Sequence, residues 1–291
     1  MIGVIGGSGL YQMAEFTDAR WESITSPFGA PSDSLLFGRL GGQDVVFLPR
    51  HGRGHRIPPT DINVRANIDV LKRAGCTQIL SLTAVGSLRE ELPPGTLVVV
   101  DQFIDRTFAR EKTFFGPGFT AHVSVADPVC ARVGKVVADA AKGLSIPISR
   151  GGTYLVMEGP QFSTRAESEL YRSWGCSVIG MTAMPEAKLA REAEMCFCTI
   201  AMVTDYDCWH TAHGAVTAHE VAAVMARNGS HAQNLLRKVV PELGASGGPC
   251  QCGCNTALEG AVMTAPELYD AGLVSKLDAV CGRFLAKGNR S

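Results

Sequence analysis

A short apolar run, Thr199 to Val203, ends in Thr204, Asp205, Tyr206 and Asp207, so two carboxylates stand close together at the exit of a strand-like segment. In open α/β sheets ligands bind outside the carboxyl ends of strands, which places this pair where it can meet a small molecule. A helix-capping aspartate beside a solvated neighbour is the plainer reading of the same residues. A second concentration of polar groups, Arg50-His51-Gly52-Arg53-Gly54-His55-Arg56, follows the apolar run 44 to 48. Arginine offers a rigid fork for phosphate or carboxylate, and histidine donates or accepts near neutral pH. Gly6, Gly7 and Gly9 around Ser8 let backbone N–H groups converge on an anion, with the serine hydroxyl beside them. Thr83-Ala84-Val85-Gly86-Ser87 offers the same combination after the apolar run 78 to 82.

These groups need strands to bring them to one edge. The same device, an apolar strand and then a polar or glycine-rich exit, recurs at Ser8, Arg50, Thr83, Glu158, Thr182 and Asp205. Helical patterns alternate with the strands over 63 to 74, 128 to 143, 166 to 174, 187 to 193 and 217 to 239. Further strands are predicted over 35 to 40, 96 to 100, 152 to 157 and 177 to 180, and 101 to 115 is predicted as a long loop. The pattern predicts an α/β fold: one domain with a central mixed, twisted sheet covered by helices on both faces. The main domain is predicted as 1 to 243. Gly244 to Pro249 is predicted as a linker into a cysteine-containing tail, 244 to 291, with a helix over 266 to 286 packed on the same domain.

Composition narrows the function classes. A net charge of −1, 46% hydrophobic and 19% charged residues leave no basic surplus for a nucleic acid partner. A phosphate needs only a few aimed donors, so neutrality does not count against a small anion. The low charged fraction is a weak sign of covered subunit surface. Met1 leads straight into a strand and glycine turn with no charged leader, and no apolar run reaches membrane-spanning length, so a cytoplasmic protein is expected. Of ten cysteines, Cys76, Cys130, Cys176, Cys196, Cys198 and Cys208 lie in or beside apolar runs, where the thiol acts as a small hydrophobe. Cys250, Cys252 and Cys254 form the cluster CQCGC, and Cys281 lies in the last helical pattern.

Hydroxyls, an arginine fork and backbone donors suit phosphate; the Asp205 and Asp207 carboxylates suit the heteroatom edge of a purine; Phe162 suits stacking on a flat ring. A nucleoside and phosphate meet in one reaction, phosphorolysis of the glycosidic bond. Such a site must draw electrons into the departing base, by hydrogen bonding or protonation at N7, and must hold phosphate against the cationic sugar. That chemistry needs no metal and no organic cofactor; inorganic phosphate is the co-substrate.

Nine blocks sharpen this reading: GVIGGSGL (3–10), PFGAPSD (27–33), RHGRGH (50–55), NVRANI (63–68), TAVGSLRE (83–90), DQFIDRT (101–107), EGPQFSTRAES (158–168), GMTAMPEAKLARE (180–192) and VTDYDC (203–208). In this order they resemble the 5'-methylthioadenosine phosphorylases of the trimeric purine nucleoside phosphorylase superfamily. The resemblance implies a phosphate site of Ser8, Arg50, His51, Thr83, Ala84 and Thr182, with His122 and Met181 at the ribose. It places Phe162 and Ser163 along the base, Asp205 at N7 as proton donor, Asp207 at the 6-amino group and Thr204 closing that edge. Asp205, Asp207 and His51 are its catalytic residues. An apolar pocket for the 5' substituent is implied at His55, Val216, Ala218 and Val221. A carboxylate at 207 implies adenine rather than a 6-oxopurine. The resemblance further implies a homotrimer, with a pair of trimers also open, and a disulfide or redox role for Cys250, Cys252 and Cys254 as in heat-stable relatives, with no metal. A broader purine nucleoside phosphorylase, a nucleoside hydrolase and a purine-binding regulator remain as alternatives. The glycine turn also keeps a nicotinamide oxidoreductase open, although the spacing departs from the dinucleotide fingerprint.

Overall fold

The structure, a computed structural model, describes residues 1–210, 218–245 and 250–288, without the side chains of Ser8 and of residues 218–223, 287 and 288. Its strands are β1 (Ile2–Gly6), β2 (Phe16–Glu22), β3 (Leu35–Leu40), β4 (Gln43–Pro49), β5 (Gln78–Ser87) and β6 (Leu97–Val99). They continue with β7 (Gln102–Asp105), β8 (Ile148–Arg150), β9 (Thr153–Val156), β10 (Val178–Gly180) and β11 (Cys196–Asp205). The helices are α1 (Val64–Arg73), α2 (Ala131–Gly143), α3 (Arg165–Ser173), α4 (Ala183–Glu192), α5 (Ala218–Ala245), α6 (Ala271–Lys276) and α7 (Gly282–Gly288).

All of these strands join one mixed sheet. Along β11, Phe197, Ala201 and Val203 enter one apolar cluster, while Cys196, Cys198, Ile200 and Met202 enter another. Strand β5 divides in the same way, Ile79 and Val85 against Leu80 and Leu82. Because successive strand side chains point to opposite faces, two separate cores mean a sheet covered on both sides. Helices α1 and α4 pack into the first cluster and α2 and α5 into the second. The expected α/β architecture is therefore the one observed.

Two predicted strand exits lie inside strands. Thr83 to Ser87 continues β5, because β11 pairs with that strand from Gln78 to Gly86. Thr204 and Asp205 likewise belong to β11, with the ladder shifted between Val203 and Asp205. Strands β2, β7 and β8 carry little alternating apolar signal: only Phe16 of β2 is buried, and β7 and β8 have no fully buried residue. Their extended form comes from pairing with β3, β9 and β6.

The predicted linker and tail also change. Helix α5 runs through Gly244 to Ala245, and 246–249 lie outside the described residues. The predicted helix over 266–286 is a 3-10 turn followed by α6 and α7, because Asp270 is extended, gives its N–H to Gly118 O and caps α6 by accepting from Leu273 N. Leu258, Leu277, Val280 and Cys281 of the tail enter the first core, and Cys250 and Cys254 enter the second. Among the described residues, no helix is long and apolar enough to cross a membrane.

Candidate active site

Strand β5 keeps β11 along one edge but changes partners on the other: β1 pairs with it from Gln78 to Ser81, and β10 from Gly86 to Ser87. Between those ladders Leu82, Thr83, Ala84 and Val85 have no strand on that side among the described residues, and all four line a cavity of about 610 Å³. Parting strands leave backbone groups free for a ligand. Here Thr83 Oγ1 lies 3.1 Å from Thr182 Oγ1, both residues buried, with Gly7 and Ala84 in the same wall. The predicted phosphate residues Arg50, His51, Thr83, Ala84 and Thr182 are thus brought together. Ser8 follows Gly7 in the turn, but its side chain lies outside the description.

Arg50 is not a free fork. It is 3% exposed, and its Nε and Nη2 donate to Glu186 at 2.6 and 3.3 Å, Nη2 also to Ser81 Oγ and Nη1 to Leu82 O. Its charge is paired, and what remains for an anion is the spare N–H on Nη1. Ser81 Oγ donates to Glu186 as well, so the carboxylate organises this corner. The rest of the basic loop is similarly committed: Arg53 pairs with Asp33 and lies over the Trp21 ring, and Arg56 donates to Ser32 O. Five basic groups in the sequence therefore do not make five phosphate ligands.

His51 stacks on His55 with ring centroids 4.1 Å apart. Its Nδ1 lies 2.8 Å from the Ile57 carbonyl, which only accepts, so the neutral ring carries its hydrogen there and leaves Nε2 as an acceptor. Burial pulls the His51 pKa down to about 4, with the Arg50 and His55 charges adding to the effect and the Ile57 carbonyl opposing it. At neutral pH this histidine accepts a hydrogen bond and supplies no charge.

At the other end of the cavity Asp205 Oδ1 accepts from Asp207 N at 2.8 Å and Oδ2 from Thr204 Oγ1 at 2.7 Å. Only glycine fits opposite: a Cβ at Gly86 would stand 2.9 Å from Asp205 Oδ1 and 3.3 Å from Asp207 Cβ. Asp207 is 5% exposed, and its Oδ2 has no hydrogen-bond partner among the described residues. Burial raises its pKa to about 6, with the Asp205 charge reinforcing that shift and the Ser168 hydroxyl opposing it. Ser168 Oγ, also buried, approaches without completing a bond of good geometry. Burial thus brings Asp207 close to neutral pH for a carboxyl, and above about 6 it is mainly ionised.

Phe162, 48% exposed, lines the cavity with Met157, Pro160 and Met181. Ser163 does not line it; its Oγ turns to Met157 Sδ at 3.6 Å. The loop carrying these residues is pinned by groups that sequence reasoning left without a role. Glu158 accepts from Thr60 Oγ1, Arg110 Nε and the N–H groups of Phe108 and Ala109, which together hold its pKa down at about 2 against burial. Arg110 also donates to the carbonyls of Glu158, Met181 and Met184, tying the base-side loop to the loop under Thr182. Glu158 had read as a strand exit and lies with Glu186 in the blocks at 158–168 and 180–192, whereas Thr60 and Arg110 lie in none of the nine blocks.

His55 lines the predicted 5' end with Pro58, Pro59 and Met225. Val216 lies outside the described residues, as do the side chains of Ala218 and Val221. His122 is exposed, does not line the cavity of this chain, and gives its N–H to Ala261 O in the tail. Of the predicted group Cys250, Cys252 and Cys254, the first and last meet and Cys252 stands apart. Cys252 is exposed, while Cys250 and Cys254 meet Cys130 and Cys196, which had read as scattered hydrophobes.

Comparison with known proteins bears on the family and the fold. Residues 1–241 match the model of the phosphorylase superfamily. The chain is 56% identical over 285 residues to the S-methyl-5'-thioadenosine phosphorylase of Rhodospirillum rubrum, covering 98% of this chain and 97% of that one. It is 55% identical to the protein of that name from Cereibacter sphaeroides, with 98% of each chain covered. A crystal structure of a methylthioadenosine phosphorylase from an antarctic soil metagenomic library superposes with a TM-score of 0.91 at 44% identity, over 96% of this chain and 98% of that one. A variant of the adenosine/methylthioadenosine phosphorylase of Schistosoma mansoni, in complex with methylthioadenosine, superposes with a TM-score of 0.81 at 37% identity, over 88% and 96%. On this sequence identity over almost its whole length, and on the shared fold, the chain belongs to the methylthioadenosine phosphorylases of the phosphorylase superfamily.

Proposed function

We propose that the protein cleaves the N-glycosidic bond of 5'-methylthioadenosine with inorganic phosphate, releasing adenine and 5-methylthioribose 1-phosphate. The observation that carries this reading is one cavity with a corner of hydroxyls and amides at Thr83, Ala84 and Thr182 and a carboxylate pair at Asp205 and Asp207. Phosphate sits in that corner, held by the two threonine hydroxyls, the Ala84 N–H and the spare Arg50 N–H, with Ser8 beside them. His51, neutral and with Nε2 open, accepts from a hydroxyl of the hydrogen phosphate, so its role is to orient the nucleophile. Asp205 faces N7, Asp207 accepts from the 6-amino group, and Phe162 lies along the ring. Positioning supplies much of the rate, because phosphate and the anomeric carbon are held within reach of each other.

Phosphate serves as co-substrate, and the proposed chemistry uses neither metal nor organic cofactor. Met181 lies beneath the ribose. The 5' methylthio group takes the wall of Pro58, Pro59 and Met225 with His55, where exchanging methyl for hydroxyl costs modest discrimination, so adenosine is a slower substrate. The assembly is a homotrimer, in which His122 approaches a ribose from a neighbouring copy, and the protein is cytoplasmic. The experiment that tests the reaction follows sugar release from methylthioadenosine, adenosine, methylthioinosine and inosine with and without phosphate. Cleavage that continues without phosphate makes the protein a hydrolase, and purine binding without turnover makes it a regulator.

Two expected results concern Asp207. An Asp207→Asn protein loses its preference for adenine, because an amide donates to a 6-oxo oxygen that a carboxylate repels. The ratio of kcat/KM for methylthioadenosine to that for methylthioinosine falls about ten- to a thousandfold, and an unchanged ratio removes this assignment. The pH dependence follows from the raised pKa near 6. Above that value Asp207 is mainly ionised and accepts; as pH falls through it the carboxyl gains a proton and becomes a donor. kcat/KM for methylthioadenosine should therefore drop on an acid limb near pH 6 while methylthioinosine is spared. Parallel pH profiles for the two substrates would remove Asp207 as the titrating group.

A further inference from the structure

Four cysteines from three distant stretches converge on the face of the sheet covered by α2 and α5. Cys130 precedes α2, Cys196 opens β11, and Cys250 and Cys254 flank a turn in which Gly253 has φ 68°. Their Sγ atoms all lie within 4.8 Å of one another, and all four residues are buried. Cys130 Sγ is 3.5 Å from Cys250 Sγ, which is 4.0 Å from Cys254 Sγ. Zinc held tetrahedrally by thiolates at about 2.3 Å needs sulfur-to-sulfur edges of roughly 3.8 Å, which these separations bracket. A disulfide needs only one close pair, whereas here every pair is close and all ten cysteines are free thiols.

A second observation is independent of the sulfurs. Arg132 Nη2 donates to Gln78 Oε1 at 2.7 Å and lies 3.9 Å from Cys196 Sγ, while its buried Nη1 has no partner among the described residues. A buried cationic nitrogen without an acceptor is costly beside neutral thiols and is compensated beside thiolates.

We propose that Cys130, Cys196, Cys250 and Cys254 hold a structural zinc ion. Loading the ion forms one Zn–S bond to each cysteine, breaks each S–H bond and releases one proton per thiol, leaving a doubly negative centre beside Arg132. The ion joins the tail to the sheet, closing a loop of 120 residues between Cys130 and Cys250. Asp205 lies at the opposite end of β11 from Cys196, about 30 Å away along an extended strand, so the ion acts on stability and leaves the chemical step alone. This departs from the expectation that the cysteine tail binds no metal.

The test incubates the purified full-length protein with zinc chloride, desalts it and measures metal by elemental mass spectrometry. About one zinc per chain is expected for the wild type and for Cys252→Ser, and close to none for Cys254→Ser. Chelation of the wild type should lower Tm, and returning zinc should restore it, with kcat at lower temperature unchanged. Should Cys254→Ser fail to fold, alkylation of the unfolded wild type without reductant decides the matter. Stoichiometric zinc with all ten cysteines tagged supports the site. Fewer tagged thiols show disulfides and overturn it, as does full tagging with no bound metal, or iron in place of zinc.

Discussion

An Asp205→Ala protein should cleave methylthioadenosine roughly 10²- to 10⁴-fold more slowly at saturating substrate, the range over which a positioned acid contributes to a proton-dependent step. In the structure the side chain anchors Asp207 by accepting its N–H at 2.8 Å, and in the proposed complex it also offers an oxygen to the purine edge. Truncation to alanine removes both. The two contributions separate with a nucleoside methylated at N7, whose base is already cationic and needs no proton to depart. On that substrate the variant should recover most of its rate if the lost function is assistance at N7. If the deficit persists, Asp205 serves only to hold Asp207, and the proposed mechanism fails at its central step.

Replacing Glu186 by alanine should lower stability by about 3–5 kcal/mol, because it strands a buried guanidinium. Arg50 and Glu186 are 3% and 2% exposed and joined by a 2.6 Å bond. In a chain of this size that corresponds to a fall in Tm on the order of 10 °C. A structural role alone would stop there. Because Arg50, freed from Glu186, no longer holds its remaining N–H towards the corner at Thr83, KM for phosphate should also rise several-fold while KM for the nucleoside changes little. Glu186→Gln keeps the shape and should recover part of the stability. Full stability in the alanine variant would mean that the ion pair is not the organising contact described here.

Much of the site was legible before any coordinates. Runs such as ILSL and TIAM declared buried strands, and the polar residues following them declared a ligand edge. Composition argued against a polyanionic partner. The order of nine short blocks was enough to indicate the family, because a site gathered from many strand ends requires a particular residue at each of them in turn.

Other features were invisible for definite reasons. Strands β2, β7 and β8 bury too little to show a period, so only their partners reveal them. The basic loop read as a cluster of anion ligands because a sequence shows that Arg50, Arg53 and Arg56 are near one another and conceals that Glu186, Asp33 and Ser32 already hold them. His51 could equally have carried a charge until the Ile57 carbonyl and its burial decided the tautomer.

What the sequence determined by itself was the kind of fold, the reaction chemistry and, with the nine blocks, the main polar residues on the cavity wall, since these depend on local pattern, residue type and the order of short motifs. How far burial raises Asp207, which arginine nitrogen stays free and which cysteines meet were decided only by the tertiary structure. Those properties depend on burial and on distances between segments up to 136 residues apart, as for Arg50 and Glu186, and no local pattern in the chain encodes them.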